Sequence, residues 1–85
     1  MRIGRFDVSA SYLIGKSEEF KKITDLLELN PKDFVVKYDV MTETLRYTAT
    51  SPYFDDLEPG KPIPLYTIYI NRTADGEITI EDVVK

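Results

Sequence analysis

The chain has 85 residues, 42% of them apolar and 31% charged, with a formal net charge of −4. That length gives a single domain over residues 1–85, and the composition is that of a folded protein with a small core. With no His, Cys or Trp, the chain excludes disulfides, thiolate or imidazole metal sites and His- or Cys-based catalysis, and its scattered Lys and Arg exclude a general nucleic-acid binder.

The first residues, MRIGRFDVSAS, alternate in character instead of forming the apolar block of a signal peptide, and no apolar run approaches membrane-spanning length. The expectation is a soluble cytoplasmic protein with no membrane association. Phe6, Val8, Ala10, Tyr12 and Ile14 alternate with Asp7, Ser9 and Ser11, which predicts a first strand closed by Gly15 and Lys16. Ser17 is the predicted N-cap of an amphipathic helix, because its hydroxyl can accept from an unpaired N–H of the first turn. Glu18 and Glu19 follow where the helix dipole favours negative charge. Phe20, Ile23, Leu26 and Leu27 form the apolar stripe, and Asn30 before Pro31 predicts an end near Leu29.

Period two returns at Phe34, Val36, Tyr38 and Val40, with Val35, Lys37, Asp39 and Met41 opposite. A turn at Thr42, Glu43 and Thr44 leads into a return strand over residues 45–50. Residues 51–64, SPYFDDLEPGKPIP, have no repeating pattern and hold four of the five prolines. Strands over 65–72 and from Glu77 onward flank a turn at 73–76, where Gly76 suits a positive φ. The expected fold is therefore α+β, with a single amphipathic helix packed on one face of a mostly antiparallel five-stranded sheet in the order β-α-β-β-β-β. Phe20, Ile23 and Leu27 are expected to meet Phe6, Val8, Val36, Tyr38, Ile68 and Ile70. The first strand has two open positions, beside the second strand or against the last.

The residues offer little chemistry. Ser9, Ser11, Ser17 and Ser51 have no activating base, the four glycines form no phosphate-binding pattern, and the expectation is that the protein is not an enzyme and uses no cofactor. Asp55, Asp56 and Glu58 can in principle bind a hard cation, but their spacing is not that of a calcium loop, and no metal site is assigned. Loops carried by a rigid scaffold often hold function, so Tyr53, Phe54, Asp55, Asp56 and Glu58, together with Glu18 and Glu19, are the candidate partner-binding residues. The other reading of Tyr53 and Phe54 is that they fold back and close one end of the core.

The segments DFVVKYDV, LRYTATSP and KPIPLYTIYINRTADGEI resemble the strand plan and turn placement of the phage-encoded uracil-DNA glycosylase inhibitors, acidic α+β proteins that mimic the DNA backbone. FDVSASYLIGKSEEFKKI takes the place of that family's first strand and acidic helix. The resemblance implies that Glu18 and Glu19 correspond to the helix carboxylates. It also implies that Phe20, Ile23 and Val36 line an apolar cavity gripping an enzyme side chain. Ser9 and Ser11 stand where the family has an important glutamate, and the DDLEPG loop is an insertion.

Together these features predict a small acidic non-enzymatic protein-binding module, such as a phage or mobile-element inhibitor or adaptor acting on a larger host protein. A DNA-mimic inhibitor of a basic, nucleic-acid-binding enzyme is the first alternative, and a small-ligand or metal-binding domain the second. Direct nucleic-acid binding is not expected. The last strand, which carries few edge-protecting residues, leaves room for a homodimer.

Overall fold

Five strands and two short helices follow one another in the computed structural model, which describes residues 1–30, 32 and 34–85. They are β1 (Ile3–Ser9), α1 (Ala10–Gly15), α2 (Ser17–Leu26), β2 (Val35–Asp39), β3 (Thr44–Thr50), β4 (Thr67–Arg72) and β5 (Ile78–Val84). The α+β class holds. The single helix and single five-stranded sheet do not.

Ser9 accounts for the first departure. Its hydroxyl accepts a hydrogen bond from the Tyr12 N–H at 3.2 Å, so it caps a helix where the alternating pattern predicts more strand. Ala10, Tyr12 and Ile14 would share a face only in a strand; the cap turns the chain into a helix instead and leaves Ile14 exposed. Ser17 is then the first residue of α2, not its cap. That place falls to Lys16, whose side chain makes no capping bond. The far end of α2 is closed by the backbone. Glu28 takes a positive φ of 54°, its N–H donates to the Asp25 carbonyl, and the Leu29 N–H donates to that of Thr24. This paired closure stops the helix at Leu26, ahead of the expected end near Leu29. Pro31, the expected stop signal, lies outside the described residues.

β1, β3 and β2 form one antiparallel sheet in that order, and β4 and β5 form a separate antiparallel hairpin. The first strand thus takes neither expected position. It pairs with β3, with Phe6 opposite Tyr47 and Asp7 opposite Arg46. The hairpin is tied to this sheet at one point, where the Arg5 N–H donates to the Pro64 carbonyl at 2.9 Å and the Tyr66 N–H donates to the Arg5 carbonyl at 2.7 Å. A register shift beside Tyr69 leaves Glu81 without a partner across β4, bending the hairpin.

The core lies between α2, β1, β3 and the hairpin: Phe6, Ile23, Leu27, Leu29, Ala49, Phe54 and Tyr66 are buried. Val36 and Tyr38, expected beneath the helix, remain 46% and 54% exposed. They share a face with Phe6 and Tyr47, but β2 is the outer strand of its sheet and α2 lies against β5. Leu26, on the expected stripe, is also exposed. Ser51 joins the helix end to the sheet. Its buried hydroxyl donates to the Leu27 carbonyl at 2.5 Å and accepts from the Tyr53 N–H at 3.1 Å. Among the described residues, no helix is long and apolar enough to cross a membrane.

Candidate functional site

Residues 51–64 divide their side chains between core and surface. Phe54 has none of its surface exposed and stacks on Tyr66, with ring centroids 4.6 Å apart. It closes the core and is removed from the set of contact residues. Tyr53, next to it, is 46% exposed. Asp55 pairs with Lys85 at 2.8 Å and Asp56 with the Met1 amino group at 2.6 Å, and each cation holds its partner's carboxyl below the usual range. Glu58 and Glu18 are exposed. Among the described residues, no group of three or more acidic side chains is placed to hold a metal ion, Asp55, Asp56 and Glu58 included.

Glu19 lies apart from these, in a clasp. Its carboxylate accepts from the Tyr12 hydroxyl at 2.6 Å and from the Arg72 guanidinium at 2.5 and 3.3 Å. The clasp ties the α1–α2 unit to the end of β4. Arg72, and then the Tyr12 hydroxyl, hold Glu19 down at about 2. Burial, reinforced by Glu19, pushes the Tyr12 hydroxyl up to about 12. Neither group is poised to exchange a proton near neutral pH.

The linkage has a definite sign. Folding lowers Glu19 from 4.5 to about 2, so its contribution is complete above pH 4.5 and fades as the pH falls towards 2. Folding raises Tyr12 from 10.0 to about 12, so its contribution is complete below pH 10 and fades as the pH rises through 12. Glu19→Gln is expected to lower stability at neutral pH by about 1 kcal/mol, since Arg72 is half exposed and its bond is partly screened. That corresponds to a melting temperature lower by about 4–8 °C. Thermal melts from pH 7 to pH 2 check this: the gap between wild type and variant should close towards pH 2.

The clasp borders an open groove of about 430 Å³ between β1 and β4. Phe6, Val8, Phe20, Ile23, Ile68 and Ile70 supply its apolar lining, and Asp7, Ser9, Tyr12 and Arg72 its polar groups. The groove exists because, among the described residues, β1 bridges this part of the chain only at Arg5, opposite Leu65 just ahead of β4. The Arg5 peptide groups face β4, so by the alternation of a strand those of Asp7 face the same way. Pro64 and Tyr66 offer their peptide groups to β1, so those of Ile68 and Ile70 point into the gap as well. Among the described residues, no backbone hydrogen bond joins β1 to β4 itself; the two at Arg5 go to Pro64 and Tyr66, just ahead of β4.

Known proteins add no parallel. The chain matches no family model, no curated protein and no solved structure. Of the three residues that the inhibitor resemblance groups together, Phe20 and Ile23 line this groove and Val36 lies on the outer strand away from it. Sequence reasoning missed the groove because its walls come from β1, the helices and β4. The one local sign was the alternation over 6–9, which sets Phe6 and Val8 on one side and Asp7 and Ser9 on the other.

Proposed function

We propose that this protein is a non-enzymatic binding module that takes an extended segment of a partner protein into the groove between β1 and β4. The observation that carries this reading is the pair of strand edges, at Asp7 and at Ile68 and Ile70, facing one another over an apolar floor. An added strand supplies the missing backbone hydrogen bonds, and its alternate side chains descend onto Phe6, Ile23 and Ile68. Affinity then comes from the backbone and the floor, and selectivity from which alternate side chains fit. The net charge of −4 favours encounter with basic partners, nucleic-acid enzymes included, and suits an inhibitor or adaptor acting in the cytoplasm. Exposed Tyr53, Glu58 and Glu18 are available for secondary contacts. The DNA-mimic reading has less support, since Asp7, Glu19, Asp55 and Asp56 are each paired with a cation of the chain itself.

Peptides selected from a random library against the immobilised protein test the reading. Selected sequences should carry apolar residues at alternate positions, and hydrogen exchange in the complex should slow at the amides of Asp7, Ile68 and Ile70. Protection confined to residues 51–64, or to the far face of the β1–β3–β2 sheet, would overturn it.

A further inference from the structure

A second open edge lies at the opposite side of the molecule and does not depend on the groove. β2 is the outer strand of its sheet, and every residue from Val35 to Asp39 is exposed. Its apolar side chains Val36 and Tyr38, with Val40 and Met41 in the turn that follows, present apolar surface to solvent. We infer that this edge is the interface of a two-fold homodimer, in which β2 pairs antiparallel with β2 of a second copy, with Tyr38 on the axis.

The register follows from the ladder and the charges. Arg5 uses its peptide groups on Pro64 and Tyr66, so Gly4, Phe6 and Val8 use theirs on β3, where they meet Ala49, Tyr47 and Leu45. Thr44, Arg46 and Thr48 are then left to bond Asp39, Lys37 and Val35. Only the peptide groups of Val36 and Tyr38 point outward from β2, so any strand added there must pair through those two residues. Val36 against Tyr38 of the second copy places Lys37 directly opposite Lys37, and like charges so placed are destabilising. Val36 against Val36 leaves Lys37 opposite Val35, with no charge to meet. Tyr38 against Tyr38 sets Lys37 opposite Asp39 twice, once on each side of the axis, and brings Val36 against Val40 of the second copy, in the turn that follows β2.

The Lys37 and Asp39 side chains both face solvent, although the Asp39 carboxylate also accepts from the Met41 N–H at 2.9 Å and its charge acts on Arg46. Among the described residues, neither Lys37 nor Asp39 has an ion pair within the chain. Lys37 stands opposite Arg46, a like charge whose carboxylate partner, Asp7, lies on its other side at 2.8 Å. In the dimer the polar face reads Asp7, Arg46, Lys37 and then Asp39 of the second copy, so that each cation borders an anion. The apolar face gains a continuous stripe of Val36 and Tyr38 from both copies. Lys37, which in an edge strand usually blocks association, here selects one register over another. β5, the edge for which the sequence leaves room for a homodimer, lies against α2 and carries Glu81 and Asp82. The β2 interface is small, so association is expected to be weak and concentration-dependent.

Sedimentation equilibrium over a dilution series at low salt tests the inference. The weight-average mass of the wild type should climb with concentration from 9.8 kDa towards twice that value. Lys37→Asp and Asp39→Lys should each weaken the dimer by about tenfold or more, since each replaces two attractive pairs with two repulsive ones. The double variant, carrying the exchanged charges, should return to within about threefold of wild type. Tyr38→Pro, which removes the N–H at the axis without touching the ladder to β3, should be monomeric with its melting temperature measured at high dilution little changed. A wild type that stays at 9.8 kDa throughout, single variants that associate as well as wild type, or a double variant that fails to recover would overturn it.

Discussion

Phe54→Ala is expected to cost about 3–5 kcal/mol, the range for removing a fully buried aromatic ring. The side chain has no exposed surface and stacks on Tyr66 at an interplanar angle of 22°. Its backbone is fixed as well. The Phe54 carbonyl accepts from the Arg2 guanidinium at 2.8 Å, its N–H donates to the Ser51 carbonyl, and the next N–H, of Asp55, donates to the Tyr66 hydroxyl at 2.9 Å. These bonds prevent the loop from collapsing into the space the ring leaves, so the cavity term is paid almost in full. Small domains have total stabilities towards the low end of about 5–15 kcal/mol. The variant should therefore be largely unfolded at physiological temperature. Urea denaturation followed by far-ultraviolet circular dichroism checks this, with Tyr53→Ala as the control. Tyr53 is half exposed, and its truncation should change stability by no more than about 0.5 kcal/mol. Equal midpoints for the two variants would remove Phe54 from the core.

The contrast between these neighbours shows what a sequence carries and what it does not. In a strand, period two assigns alternate residues to opposite faces. It places Phe6 with Val8 and Tyr47 with Leu45 correctly, and it separates Lys37, Asp39 and Arg46 onto the polar side. Both hairpins are legible for the same reason, helped by the left-handed turn residue Gly76, whose φ is 82°. Residues 51–64 have no period, so nothing local decides which of Tyr53 and Phe54 turns inward. The decision is made by Tyr66, twelve residues beyond Phe54, and by Gly4, fifty residues before it. The clasp has the same character. Glu19 is visible as a helix-start acid, but its partner Arg72 lies 53 residues away on another element. The division into two sheets is hidden too. A run of β-forming residues shows that a strand forms but not how far it pairs, and among the described residues β1 meets the run leading into β4 by one bridge, Arg5 with Leu65. The groove is a consequence of where that pairing stops.

Gly4→Ala carries the second large effect, and it probes the same junction from the strand side. A Cβ built on Gly4 would lie 2.7 Å from two ring carbons of Tyr66 and 2.9 Å from a ring carbon of Phe54. Neither ring is free to retreat, because Phe54 is fully buried and the Tyr66 hydroxyl is held by the Asp55 N–H. Overpacking of this kind costs about 1–3 kcal/mol, and Gly4→Val should fall at the upper end or beyond. The position has no positive φ, so backbone strain plays no part, and the glycine is required by the close approach of the stacked rings to β1. A double-mutant cycle separates this account from a simple loss of strand stability. With Phe54 truncated to Leu, the Tyr66 ring gains room to tilt away from β1. The cost of Gly4→Ala in that background should fall by about 0.5 kcal/mol or more, a coupling expected only of residues in contact. The same displacement would move Pro64 and Tyr66 relative to Arg5, whose two hydrogen bonds hold the closed end of the groove. Exchange at the Tyr66 amide should therefore quicken in Gly4→Ala more than exchange at Phe6 or Val8, which are held by β3. Full additivity in the cycle, with Tyr66 exchange unchanged, would show that the ring stack does not couple to the strand.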